Sequence, residues 1–288
     1  MGNALFEKGR EGFLDGTLDW DTNSFDAVLL DLDTADVGVK AITGATNATP
    51  IVITATAHGF SNGDIVVIGK VGGNVSANGV WAIASVAANT FALTDPVSGG
   101  NVVGSAAYTS GGYAVCLGPS TSGDNFDDFD GCLVGAAVAL SSPTVTQGVA
   151  DAADVTFTAV SGASVEAVGI KKHTGTASTD RMVAFIDGNF IVTCAATAAT
   201  SATTIAVERL PAGIPNGTVL TFSNGQAATL SALANAGDRT VTVTALGGSV
   251  TAGSRASAPA TGAGLPVTPN GGNIQIAFDN GANRIFKL

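Results

Sequence analysis

The spacing of apolar positions changes character once, close to the start of the chain. Residues Ala4 to Leu14 have helical spacing: Leu5, Phe6, Gly9, Phe13 and Leu14 fall near one face, and Glu7, Lys8, Arg10 and Glu11 cover the other. Gly9 and Gly12 predict that this helix is short, and Asp15-Gly16 predicts its stop. Phe25 to Leu32 then reads Phe-Asp-Ala-Val-Leu-Leu-Asp-Leu, the near-continuous apolar run of a strand covered on both faces. Everything beyond is short stretches of Val, Ile, Thr and Ala punctuated by turn signals such as Ser61-Asn62-Gly63-Asp64, Ala77-Asn78-Gly79, Pro215-Asn216-Gly217, Ser223-Asn224-Gly225 and Asp279-Asn280-Gly281. Predicted strands include Ile51–Ala57, Ile65–Gly69, Trp81–Val86, Thr90–Thr94, Ser164–Lys171, Met182–Ile186, Thr203–Glu208, Thr218–Phe222 and Arg239–Ala245. The expected fold class is mainly β: a β-sandwich or barrel-like host domain with a short N-terminal helix and two inserted small β modules.

The first insertion spans 43–110 and contains a His58-Gly59-Phe60-Ser61-Asn62-Gly63-Asp64 turn that leads into a strand. The second spans 193–261 and contains an internal repeat. Thr204-Ile205-Ala206-Val207 aligns with Thr240-Val241-Thr242-Val243 at an offset of 36 residues; at the same offset Leu210 meets Leu246, Ile214 meets Val250 and Gly217 meets Gly253. Such a repeat predicts two pseudo-equivalent units, neither able to bury its apolar side alone. The host is then assembled from 1–42, 111–192 and 262–288, and removing either insertion is expected to leave it folded.

Composition narrows the function classes. The chain has 288 residues, of which 45% are hydrophobic and only 12% charged, with 38 glycines. It carries 12 Lys and Arg against 23 Asp and Glu, a net charge of −11, and no basic run. Direct nucleic-acid binding, which needs a basic stripe to release counterions, is not expected. Nor is membrane insertion, because no apolar run approaches the roughly 18 residues of a spanning helix. The mixed, charged opening of the chain is unlike a signal region, so folding in a cytoplasm is expected.

Candidate chemistry is sparse. Cys116, Cys132 and Cys194 read as small buried hydrophobes, with a Cys116–Cys132 disulfide as the alternative. His58 and His173 read as exposed loop residues, and neither lies near a nucleophile-elbow motif. The densest acidic stretch, Asp124 to Gly131, reads as a solvated loop anchored by Phe126 and Phe129. The rival Ca²⁺ reading lacks the EF-hand spacing and its closing Glu. The two tryptophans, Trp20 and Trp81, fall in strand-like contexts that favour core packing over sugar platforms. No catalytic, cofactor-binding or metal-ligating residues are singled out, and an enzyme is not expected.

The host pieces resemble a family of tailed-bacteriophage virion proteins. The resemblance is carried by Asn3 to Gly16 with Leu18-Asp19-Trp20-Asp21-Thr22, by Gly148 to Gly162, and by Gly264 to Ile274 with Phe278 to Leu288. In such proteins the segment equivalent to Ala184-Phe185-Ile186-Asp187 runs almost directly into the Leu-Pro-Val-Thr-Pro-Asn-Gly-Gly segment, here Leu265 to Gly272, which supports the second insertion. The two insertions resemble small β modules of phage structural proteins, through the His58–Asp64 turn and the Leu210–Thr218 stretch. The resemblance implies a capsid decoration (cement) or other minor capsid protein on the virion head surface, with the major capsid protein as partner and no cofactor. The need to cover the edge strands of a long apolar β-rich chain adds the expectation of a homo-oligomer, a trimer first and a dimer second. A tail or fibre component and a carbohydrate-binding module are the rivals. The N-terminal helix either docks on a neighbouring subunit or covers an edge of the host sheet, and the apolar C-terminal end invites the same two readings. Leu5, Phe6, Arg10, Phe13, Phe286 and Leu288 are accordingly the candidate capsid- or subunit-contact residues.

Overall fold

The computed structural model describes residues 4–120, 123–262, 264–278 and 285–287. Leu288 and the Asp279-Asn280-Gly281 turn lie outside the described residues. The fold is mainly β with one short α-helix, Glu7–Asp15. Among the described residues no helix is long and apolar enough to cross a membrane.

Two sheets and three apolar cores make up most of the molecule. The five-stranded antiparallel sheet runs in the order Ala4–Leu5, Met182–Ile186, Ala167–Lys172, Phe25–Leu30, Val138–Ala139. All six residues of Phe25–Leu30 are buried. Phe25, Ala27 and Leu29 enter one core with Trp20, Phe157 and Phe286; Val28 and Leu30 enter another with Phe6, Phe129 and Met182. Side chains alternate across a strand, so a strand with a core on each face is apolar at nearly every position; the exception is Asp26, whose buried carboxylate is paired with Lys171.

The seven-stranded sheet covers the far side of that second core. Its order is Val39–Ala41, Tyr113–Gly118, Ile65–Gly69, Gly79–Ala87, Thr90–Thr94, Val52–Thr54, Gly44–Ala45. Tyr113, Val115 and Leu117 face the five-stranded sheet, whereas Ala114 and Cys116 face a third core with Ile53, Trp81 and Phe91. One continuous segment, 39–45, supplies both end strands, so the sheet curls around its core. Its two ends do not pair with one another, and among the described residues no sheet closes into a barrel. The sheet also runs past 43–110 on both sides, through Val39–Ala41 and Tyr113–Gly118.

The fourth core draws only on residues between Phe190 and Ala258. Here the repeat is larger than its sequence signal. Ile205 pairs directly with Val241, its own counterpart, in an antiparallel ladder, which places a pseudo-two-fold axis between them. The bridges obey the same offset: Cys194 with Val207 matches Leu230 with Val243, and Ala198 with Val250 matches Ala234 with Ile214. The Thr193–Arg255 pairing likewise matches Thr229–Val219. The first strand of each copy therefore pairs with the last strand of the other, and all eight side chains of Ile205, Val207, Leu210, Ile214, Val241, Val243, Leu246 and Val250 are buried in one shared core. This is the physical content of a two-unit repeat.

The helix docks differently from its sequence expectation. Its buried residues are Gly9 and Gly12, while Leu14 is 86% exposed. A Cβ at Gly9 would stand 2.9 Å from the Val183 backbone, and one at Gly12 would stand 2.6 Å from Leu18 Cγ. The two glycines cost helix propensity, but they let the helix backbone lie directly on the sheet.

Candidate functional site

The six predicted contact residues separate into three groups. Phe6 and Phe286 are buried in this chain's own cores, the reading in which both ends of the chain cover the host. Phe6 packs edge-on to Phe129 at 5.5 Å, and Phe286 packs against Trp20 at 5.0 Å and Phe13 at 5.5 Å. Each therefore spends its apolar area inside the fold, where it is worth about 1.5–3 kcal/mol. Leu5 and Phe13 are half-buried against the Trp20 core. Arg10 is exposed and ion-paired with Glu7 at 3.2 Å. With Leu14, Arg10 forms part of the outward face of the helix, around a shallow groove. Leu288 lies outside the described residues.

A second feature has no sequence signal: a cavity of about 720 Å³ where the two sheets meet the repeat unit. Tyr113, Lys70, Glu166, Asp187, Arg255 and Val219 are among its walls. Lys70 Nζ reaches from the seven-stranded sheet to Glu166 at 3.0 Å and to Asp33 at 2.8 Å. Glu166 is buried and also accepts from the Leu32 amide at 3.0 Å. Burial pushes the Tyr113 hydroxyl well above its ordinary range, and the carboxylates of Asp187, Glu166 and Asp33 add to the shift. Burial likewise raises Asp187, against the opposing hydrogen bonds from Asn189. On the far wall Arg255 Nη1 lies 3.9 Å from Asp95 Oδ2, and both atoms are buried without a hydrogen-bond partner. Lys70→Met should therefore loosen the junction: with Glu166 left buried beside no cation, unfolding stability is expected to fall by about 1–3 kcal/mol, read as a lower urea midpoint. An unchanged midpoint would show that the pair contributes nothing net.

The groups that carry chemistry elsewhere are engaged internally. The three thiols are buried and free. Burial pushes Cys116 and Cys132 up to about 12, where the nucleophilic thiolate is scarce. They sit in different cores, which leaves the disulfide alternative without a geometry. His58 is buried, not exposed as expected: Nε2 donates to the Ala87 carbonyl at 2.8 Å and Nδ1 accepts from the Phe60 amide at 3.0 Å, between the rings of Phe60 and Phe91. Asp64 closes the same turn by accepting from the Ser61 and Ser120 amides. The His58–Asp64 signature is thus internal scaffolding of the sheet. Both tryptophans are core residues, Trp20 donating to the Asp151 carbonyl at 2.9 Å and Trp81 to that of Ala77 at 2.7 Å. In the acidic loop Phe126 and Phe129 are anchored as expected, and Asp128 accepts from the Gly123 amide at 2.9 Å.

No protein-family model matches the chain, and no curated protein matches it. Among solved structures it is similar to the phage phi92 endosialidase at 15% identity, over 64% of this chain and 33% of that one, with a TM-score of 0.20. This chain thus spans about a third of that protein's length, and a likeness at that score carries no argument about fold or activity.

Two clusters of three ionisable groups converge among the described residues: Asp31, Asp33 and Glu166, and Asp26, His173 and Asp180. Each holds a lysine ammonium. Lys70 serves the first from a half-exposed position, and Lys171 serves the second from inside the protein. The sequence shows Lys171 only as half of a Lys-Lys pair before a turn. Its partners come from a neighbouring strand and from the far side of the loop, so no local spacing signals them.

Proposed function

We propose that the chain is a structural protein of a tailed-phage head, a decoration protein that adheres to the outer capsid surface, bridges neighbouring capsomers and stabilises the shell. The observation that carries this reading is where the three resembling stretches go. They lie at the beginning, middle and end of the chain, yet they pack in one core: Leu18 and Trp20 from the first, Ala150, Val155 and Phe157 from the second, Leu265, Val267, Phe278 and Phe286 from the third. Their strands also pair, Val149 with Lys287 and Phe157 with Ile274. The stretches that carry the resemblance therefore lie together in one core, which supports reading them as one body.

The mechanism is differential binding. Many copies that bind the mature lattice more tightly than its precursor shift the equilibrium by that difference, and copy number turns weak contacts into avidity. The major capsid protein is the proposed partner, with a trimer at local three-fold positions as the first arrangement and a dimer as the second. Of the contact residues, Arg10 with the half-buried Leu5 and Phe13 stays available, and the exposed Leu14 joins them.

The test is addition of the purified protein to mature heads that lack it. Saturable binding at hundreds of copies per head is expected. Leu14→Asp, which removes an apolar contact without touching a core, is expected to weaken binding about tenfold, a loss near 1.4 kcal/mol. Absence of binding, or recovery of only a few dozen copies in whole particles, would replace this reading with the tail or fibre alternative.

A further inference from the structure

We propose that Lys171 and Asp180 form an intramolecular amide cross-link between their side chains, with Asp26 as the proton-transfer catalyst. The inference stands apart from where the protein is mounted, because it rests only on the interior of the chain where the five-stranded sheet meets the 173–180 loop.

The geometry is that of an amine held against an electrophile in a dry site. Lys171 is the penultimate residue of the strand Ala167–Lys172 and its side chain is 5% exposed; Asp180 is equally buried, and Asp26 is 10% exposed. Lys171 Nζ is in direct contact with Asp180 Oδ2 and 3.0 Å from Asp26 Oδ2. Its other neighbour is the ring of Phe126, 4.8 Å from Nζ to the centroid. The second oxygen of Asp180, Oδ1, accepts from the Thr174 amide at 2.6 Å and from the Thr174 hydroxyl at 2.7 Å. Those two donors sit where negative charge would develop on a tetrahedral carbon, which is how an oxyanion is stabilised. Asp26 lies directly across the ladder from Lys171 and also binds His173 Nδ1 at 2.8 Å.

These parts supply a balanced condensation. One proton of the Lys171 ammonium is relayed by Asp26 onto Asp180 Oδ2, and Nζ, now the free amine, attacks Cγ of the neutral carboxyl group. The Nζ–Cγ bond forms and the Cγ–Oδ2 bond breaks. Oδ2 leaves as water with two of the three ammonium protons, the second also relayed by Asp26, while the third proton stays on the amide nitrogen. Asp26 ends in the state in which it began, and no oxidant or cofactor is consumed. Burial alone would push Asp180 up, but its hydrogen bonds from Lys171 and Thr174 hold it low. The protons therefore come from the ammonium itself.

Two physical terms favour the product. Fixing amine and carboxyl in contact replaces a bimolecular encounter by an effective concentration of up to about 10⁵–10⁸ M. Condensation also converts a buried ion pair, which bears the desolvation cost of two charges, into one neutral amide. Lys70 is the internal contrast. It touches two carboxylates in the same way, but it is 37% exposed and pairs with a 59% exposed Asp33, so water competes and an ordinary ion pair results.

The deciding experiment is intact mass measurement of the denatured full chain, followed by peptide mapping. The expected mass is one water below that of the sequence, and the map should contain a branched peptide joining Lys171 to Asp180. Lys171→Arg keeps the cation and should restore the full mass, and Asp26→Asn should leave most of the protein unlinked while circular dichroism stays that of the parent. A parent protein at full mass overturns the proposal. So does a missing water that persists in Lys171→Arg, which would mark a succinimide at an Asp-Gly pair, and so does a branch from Lys171 to Asp26.

Discussion

Phe129→Ala is expected to lower the unfolding free energy by about 3–5 kcal/mol, among the largest effects of any single truncation in this fold. The residue is fully buried between the two sheets, edge-on to Phe6, and its ring fills the space that a side chain at Gly38 would otherwise occupy. Removing it opens a void that neither sheet can close, because each is held in register by its own ladder. Phe129→Leu keeps most of the volume and should cost less than about 1.5 kcal/mol. Trp20 and Trp81 lie in the cores on either side, so their fluorescence in a urea titration follows both sheets. Equal midpoints for the Ala variant and the parent would show that this core does not hold the sheets together.

Excising the two supposed insertions should have opposite outcomes. Residues 189–259 contribute nearly all of their own core, and the Ala260 amide donates to the Gly188 carbonyl at 2.9 Å, so a short Gly-Ser link can rejoin those neighbours. The remainder should stay soluble and melt cooperatively. Excising 44–110 removes Ile65–Gly69, which is a ladder partner of Tyr113–Gly118, and takes Val67 out of the core between the sheets. Tyr113, Val115 and Leu117 would lose their cover at about 1.5–3 kcal/mol each, a large part of the ~5–15 kcal/mol that usually holds a domain folded. Aggregation or loss of a cooperative transition is expected for that variant alone, by light scattering and calorimetry. If both excisions are tolerated, the strand Tyr113–Gly118 stands with the host without its Ile65–Gly69 partner; if both collapse, the division into host and modules is wrong.

The difference between these excisions shows where the sequence was legible. Ile65–Gly69, Thr90–Thr94 and Met182–Ile186 coincide with their predicted spans, because alternation and flanking turns are local signals. Tyr113–Gly118 is masked by its neighbours: Gly111-Gly112 reads as the end of an insertion, although the apolar run that follows is what a strand with two cores requires. The repeat was visible over Thr204–Thr218, where residue types are kept, and invisible where Cys194 matches Leu230, since there only burial and pairing are preserved. The helix is legible in place but not in its start or its docking face: Ala4–Leu5 pairs as a strand ahead of Glu7–Asp15, and Gly9 and Gly12, rather than an apolar stripe, do the docking.

Taken alone, the residues settled the β class, most strand positions, the short helix, the two-copy unit and the interior role of the cysteines and tryptophans. All of these follow from side-chain size, period and turn chemistry within a few neighbouring positions. Chain folding over long separations settled the rest: that Phe6 and Phe286 face inward, that His58 is buried, that Lys70 meets Glu166, and that Lys171 stands between Asp26 and Asp180. Those outcomes depend on which remote strands become neighbours and which face each one covers, and no local pattern encodes a partner on the other side of a core.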